Sequence, residues 1–208
     1  MPLFYQQDIN ENTRLGVWKI EEPESFFLAK VPLQRSITHP HKRLQHLAGR
    51  YLLPYLFHDF PHEEIEIADT RKPFLPYEQY HFSISHCGDY AAAIVSNRYR
   101  VGIDIEMITP RVDKIKHKFL HSEELVFVNS YPLNKQVALL TLLWSAKEAM
   151  FKWWGRGDVD FSEVMRTKSF ELKHEGLFDG HFNKDDFRKE LALHYQLRPD
   201  LSLVWVYS

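Results

Sequence analysis

Within residues 38–57, "THPHKRLQHLAGRYLLPYLF", the side chains Leu44, Leu47, Tyr51, Leu52 and Tyr55 recur at helical spacing, which predicts an amphipathic helix. Thr38 is the expected cap, Pro40 suits a first turn, and Pro54 is expected to kink or end the helix. "RKPFLPYEQY" (71–80) reads as a proline-punctuated loop. "HFSIS" and "YAAAIVS" then flank the turn signal "HCGD", predicting a β-hairpin over 81–96. In "RYRVGIDIE" the period changes to two, with Val101, Ile103 and Ile105 on one face of a strand and Gly102, Asp104 and Glu106 on the other. Residues 110–130 alternate basic and apolar and predict a loop with a short helix. A long helix follows over about 137–154 and stops at Gly155. Beyond it "KSFEL", "GLFDGHF", "FRKELALHYQL" and "LSLVWVYS" read as antiparallel strands. A helix, a hairpin and a strand, then a helix and strands, imply an α+β fold of two similar halves, residues 1–98 and 99–208, each a small antiparallel sheet packed with a long helix.

Composition supports a folded chain. Of 208 residues, 44% are hydrophobic and 26% charged, and the 15 Phe, 10 Tyr and 5 Trp supply bulk for a core. A formal charge of −2 gives no general attraction to nucleic acid or acidic membranes. No window approaches the roughly 18 apolar residues of a spanning helix, and the start of the chain has acids and amides where a signal peptide needs an apolar run. With the single cysteine, Cys87, this points to a cytoplasmic protein without a disulfide framework. The 12 histidines include "HPH" (39–41) and "HDFPH" (58–62), where prolines break zinc-ligand spacing.

Chemistry concentrates in "LLWSAKEAMFKWWG" (142–155). At the helical rotation per residue, Thr141, Ser145, Glu148 and Lys152 fall within about 60° of one another, and apolar side chains cover the opposite side. Glu148 and Lys152 are either a surface i, i+4 pair or part of a desolvated polar stripe, where ions persist only with strong partners. Asp104 and Glu106 project from one strand face roughly 7 Å apart. They face water or share a cation; with Glu148 nearby, three hard oxygen donors suit Mg²⁺. Ser85 and His86 in the hairpin turn read as hydrogen-bond donors to a phosphate, since no G-x-S-x-G elbow is present. Arg43, His46 and Arg50, at i, i+3 and i+7, form a solvated helix face or an anion site.

Taken together, "RKP" (71–73), "FSISHCGDYAAAIVS" (82–96), "VGIDIE" (101–106), "FLHSEEL" (119–125) and "LLWSAKEAMFKWWG" resemble the 4′-phosphopantetheinyl transferases, specifically the larger, two-halved class that includes the surfactin-synthetase activator. The resemblance implies two α+β halves with pseudo-twofold symmetry and coenzyme A bound between them. It implies transfer of phosphopantetheine from coenzyme A to a serine of an apo acyl or peptidyl carrier protein, with Mg²⁺ or Mn²⁺, releasing adenosine 3′,5′-bisphosphate. By motif position Asp104, Glu106 and Glu148 match the metal carboxylates, and Glu148 also the general base. Lys72, Ser85, His86, Lys147 and Lys152 match contacts to coenzyme A phosphates, with His86 and Lys152 also in the transfer step. Arg43 and Arg50 are candidates for the 3′-phosphate, and Glu124 matches a further family acid. Arg71 stands where the family has Gly, and Cys87 where it has a small residue such as Ser. Lys152 is expected to keep Glu148 ionised through its opposite charge. The basic run "RVDKIKHKFL" (111–120), with Phe119 and Leu120 beside Arg111, Lys114, Lys116 and Lys118, is expected to dock an acidic carrier or to be a solvated loop. A monomer is expected, since both halves lie in one chain. A Mg²⁺-dependent phosphodiesterase and a non-catalytic carrier-binding scaffold are the competing classes.

Overall fold

The computed structural model describes residues 3–33 and 36–208, which form two compact units, residues 1–101 and 102–208. In the first, strands β1 (Leu3–Asn10) and β2 (Thr13–Lys19) form a hairpin; α1 (Glu24–Leu28) and α2 (Pro40–Leu56) follow. The short β3 (Glu66–Ile67) and β4 (Pro73–Phe74) then pair as a two-stranded ribbon, before the hairpin of β5 (His81–Cys87) and β6 (Tyr90–Ser96). Among the described residues the main sheet runs β1-β2-β6-β5, all antiparallel. Leu47, Leu52, Leu53 and Leu56 of α2 bury against Trp18, Phe82, Ala91, Ala93 and Val95 of that sheet.

The helix differs from expectation at both ends. His39, not Thr38, is the cap; its side chain accepts from the Lys42 amide at 3.4 Å. Pro54 does not stop the helix, which closes with the Phe57 amide donating to the Leu53 carbonyl at 3.0 Å. A proline this near the end costs few bonds, since little helix lies beyond it. The β1–β2 hairpin carries no strong sequence signal: β1 is half-buried in no regular alternation. Its turn is nonetheless fixed locally, the Asn12 amide donating to Asn10 Oδ1 at 2.9 Å.

The second unit contains β7 (Val101–Met107) apart from its first residue, a 3₁₀ stretch over Pro110–Lys118, α3 (Ser122–Asn129) and α4 (Leu133–Trp154), followed by β8 (Met165–Thr167), β9 (Glu175–Lys184), β10 (Phe187–Leu197) and β11 (Leu201–Tyr207). The sheet order is β7-β11-β10-β9-β8. An α+β architecture of antiparallel sheets with one long helix apiece is thus present in each unit. The "KSFEL" segment is not a strand. After the Lys168 amide bonds the Asp179 carbonyl, the Tyr131 hydroxyl donates to the Phe170 carbonyl at 2.9 Å and accepts from the Leu172 amide at 3.0 Å. A side chain has taken the place of a neighbouring strand.

Helix α4 is packed on two sides. Leu142, Ala146, Ala149, Met150 and Trp153 join Phe178, Phe182, Leu193, Tyr195, Val204 and Val206, while Leu139, Leu140 and Leu143 join Val112, Phe119, Leu120 and Val128. Trp144, Glu148 and Lys152 are left half-exposed. The helix begins earlier than its apolar pattern predicts because its first turn, Leu133 to Gln136, faces solvent. It ends at Gly155, whose φ of 72° is the left-handed cap that favours glycine.

Strand β7 lies directly on α4. A Cβ added at Gly102 would stand 2.0 Å from the Ala149 carbonyl oxygen and 2.8 Å from the Trp153 nitrogen, both backbone atoms that cannot step aside. Gly102→Ala is therefore expected to cost about 3 kcal/mol or more in urea unfolding. Gly176→Ala, whose Cβ would meet the Tyr195 ring at an ordinary 3.4 Å, should stay within about 0.5 kcal/mol of wild type. Equal midpoints for the two variants would contradict the close approach.

Candidate functional site

Because Gly102 brings β7 onto the backbone of α4 at Ala149 and Trp153, the next residue on the same strand face, Asp104, meets a side chain from that turn of the helix. Lys152 Nζ donates to Asp104 Oδ1 at 2.7 Å, the lysine side chain 24% exposed and the aspartate 3%. Further along that face, Glu106 Oε1 accepts from the indole nitrogen of Trp144 at 3.2 Å. Burial, with the negative charge of Asp104, pushes the Glu106 carboxyl up from its ordinary value, and the Trp144 bond and Lys152 oppose the rise. Burial is also the main cause at Glu148, which is pushed up to about 7; Asp104 adds to the rise, Lys152 opposes it, and Glu106 adds again. The expected ionisation of Glu148 by Lys152 is thus outweighed. Asp104, Glu106 and Glu148 feel one another's charge, with one ammonium among them.

Oxygen-only carboxylate donors with an excess of negative charge suit a hard divalent cation such as Mg²⁺. Among the described residues no group of three His, Cys, Asp or Glu side chains is drawn together as a ready cage. Mg²⁺ does not need the protein to close a cage, because it usually keeps several waters and draws further ligands from substrate phosphates. The donor set fits.

Lys147, one residue before Glu148, has another task. It is fully buried, and its ammonium donates to Glu124 Oε2 at 2.7 Å, to the Phe161 carbonyl at 3.1 Å and to the Met165 carbonyl. An ammonium has three hydrogens, and all are used. Lys147 therefore has no donor left for a phosphate, contrary to the expectation from motif position. Glu124 is as fully engaged. Its Oε2 also accepts the His121 amide at 2.8 Å, closing a capping box at the start of α3, and its Oε1 accepts the Thr167 amide at 2.8 Å and hydroxyl at 2.7 Å. One ion pair thus joins α3, α4, β8 and the segment between the last two.

In the first unit Arg43 is likewise committed. Nε and Nη2 each donate to a Glu24 carboxylate oxygen at 2.8 Å, and Nη1 to the Ile37 carbonyl at 3.0 Å, a fork-to-fork pair that clamps α1 to α2. Arg50 is 3% exposed and lies beside His62, whose pKa is lowered to about 4 by burial and then by Arg50. Neither arginine presents an open guanidinium to a 3′-phosphate. Ser85 and His86 are neighbours on β5 and so take opposite faces of the sheet, the serine buried and the histidine exposed. Lys72 is half-buried, its pKa lowered to about 8 first by burial and then by Arg100. Of the basic run, Lys116 is paired with Asp113 at 2.8 Å, and Phe119 and Leu120 are core residues, 0% and 3% exposed, rather than part of a docking face. Arg111, Lys114, His117 and Lys118 remain exposed.

The segment that carries these carboxylates and Lys152 also carries the likeness to a known class. The model of the 4′-phosphopantetheinyl transferase superfamily matches residues 100–203, half of this chain, and the chain belongs to that superfamily. Relatives include the 4′-phosphopantetheinyl transferase gsp of Aneurinibacillus migulanus, 35% identical over 113 residues that cover 53% of this chain and 46% of that protein. The 4′-phosphopantetheinyl transferase psf-1 of Bacillus pumilus is 35% identical over 117 residues, 53% of this chain and 50% of that one. Enterobactin synthase component D of Escherichia coli K12 is 36% identical over 114 residues, 53% and 54% of the two chains. The chain thus spans about half the length of the curated relatives it matches. The family segment contains Asp104, Glu106, Glu124, Trp144, Lys147, Glu148 and Lys152; Arg43, Arg50, Lys72, Ser85 and His86 lie outside it.

The buried pair has a testable signature. Lys147→Met leaves the Glu124 charge without its ammonium and should cost about 3–5 kcal/mol, whereas adding Glu124→Gln to it should restore part of that loss. Chemical denaturation of both singles and the double gives the cycle, and simple additivity would contradict the pairing.

Proposed function

We propose that this protein transfers 4′-phosphopantetheine from coenzyme A to a serine of an apo carrier protein, releasing adenosine 3′,5′-bisphosphate. The observation that carries the proposal is the trio Asp104, Glu106 and Glu148 with Lys152, held on β7 and α4 within the segment that marks the family. In the reaction the serine oxygen forms a bond to the phosphorus next to pantetheine, the bridging phosphoanhydride oxygen leaves with the nucleotide, and the serine proton passes to a base. Little covalent chemistry is asked of the protein; positioning and charge stabilisation do the work.

Each residue has a part. Asp104, Glu106 and Glu148 would hold Mg²⁺, or Mn²⁺ in its place. When bound, the ion would neutralise the carboxylates and polarise phosphoryl oxygens. Glu148 accepts the serine proton directly or through one water. Lys152, anchored by Asp104 and one quarter exposed, places its positive charge beside the carboxylates, where it would attract a phosphate. Lys72 and the exposed His86 are, by motif position, further candidates for contacts to coenzyme A phosphates. Lys147 and Glu124 take no part in transfer and hold α4 in place. The exposed basic side chains Arg111, Lys114 and Lys118 suit an acidic carrier surface.

Incubation with coenzyme A, Mg²⁺ and an apo acyl carrier protein, followed by intact mass, tests the proposal. The carrier should gain one phosphopantetheine. Free nucleotide with an unchanged carrier would instead mark a phosphodiesterase, and a stable complex without mass gain a scaffold. Glu148→Gln should lower turnover by about 10²-fold or more while leaving the unfolding midpoint in place. Near-normal turnover by that variant would remove Glu148 from the proton transfer.

A further inference from the structure

The indole N–H of Trp144 is an uncharged donor beside the carboxylates that cannot accept a hydrogen bond, and its partner is Glu106 Oε1 at 3.2 Å. Its ring is gripped from two directions. Phe119, with no exposed surface, meets it edge-on at 5.1 Å and 69°, and Phe161 stacks on it at 5.9 Å and 28°. Phe161 also leans on Phe151 at 5.4 Å, and its backbone carbonyl is held by Lys147 Nζ at 3.1 Å. A continuous set of contacts therefore runs from Glu124 through Lys147 and Phe161 to Trp144 and ends on Glu106.

We infer that Trp144 is a positioning residue for Glu106. Its indole N–H fixes the direction of the carboxylate toward a divalent cation, and the buried Glu124–Lys147 pair keeps the indole where it can do so. A glutamate side chain has three rotatable bonds, and an untethered one at a half-buried strand position samples several rotamers. The N–H selects one of them before any ligand arrives. Hydrogen-bond partners that orient ligating carboxylates commonly change metal affinity by about 10–100-fold when removed. The inference also gives Lys147 and Glu124 a place in function without contact to substrate. It rests on the metal reading proposed above.

The two are separable by titrating Mn²⁺ into the whole chain, without coenzyme A or carrier, and reading free Mn²⁺ by electron paramagnetic resonance. Trp144→Phe keeps an aromatic ring between Phe119 and Phe161 and deletes the N–H. It should weaken Mn²⁺ binding about 10-fold or more at an unchanged unfolding temperature. In a Glu106→Gln background the same substitution should change nothing further. Equal binding by wild type and Trp144→Phe overturns the positioning role alone; absence of Mn²⁺ binding by wild type overturns it together with the metal reading. Should Trp144→Phe fail to fold, the indole ¹⁵N–¹H resonance of Trp144 in the otherwise intact chain decides the matter. The resonance should move in Glu106→Gln, and an unmoved one overturns the inference.

Discussion

An ammonium group with no exposed surface is tolerated only when each of its hydrogens has an acceptor and its charge a partner. Lys147 meets both conditions, through Glu124 and the carbonyls of Phe161 and Met165. Glu124 in turn spends its remaining acceptor capacity on His121 and Thr167. The pair therefore ties α3, β8 and a connecting segment to one point on α4. Loss of either partner would leave a bare charge in the core, so the arrangement is all or nothing. Net stabilisation is not the main consequence of such a pair. Fixed geometry is.

That geometry matters because the next residue, Glu148, lies about 100° around the helix, half-exposed and facing the carboxylates of β7. One side of α4 is locked into the core by Lys147, and the adjacent side presents charge. The contact of Gly102 with the Ala149 carbonyl sets the distance between strand and helix, so that Asp104 reaches Lys152. The result is a negative site with one ammonium, built on two rigid elements rather than on loops. Burial first, and then the neighbouring carboxylates, raise the pKa of Glu148 and Glu106 alike. The site lies within the segment that matches the phosphopantetheinyl transferase superfamily.

Where local periodicity was strong, the sequence was a good guide. The β5–β6 hairpin, the alternation along β7 and the long α4 with its polar stripe all follow from side-chain spacing. Long-range partners were not legible. On a helical wheel Lys147 lies at the edge of the polar stripe, and nothing within "LLWSAKEAMFKWWG" announces that Glu124, Phe161 and Met165 will enclose it. Arg43 looked like half of an anion site because Glu24 is separated from it by a helix and a loop. Ser85 and His86 were read as donors in the hairpin turn, but they lie within β5, on opposite faces. The "KSFEL" segment has a strand-like composition, but Tyr131 supplies the partner that another strand would have given. The β1–β2 hairpin was hidden by the polar composition of its outer strand.

The central claim is that Asp104, Glu106 and Glu148 act as one cation site. Anomalous diffraction from crystals grown with Mn²⁺ and coenzyme A tests it most directly. The account predicts a manganese peak bonded to oxygens of these carboxylates and to a phosphate of the ligand. A peak on other residues, or bound coenzyme A with no manganese near Asp104, would contradict it.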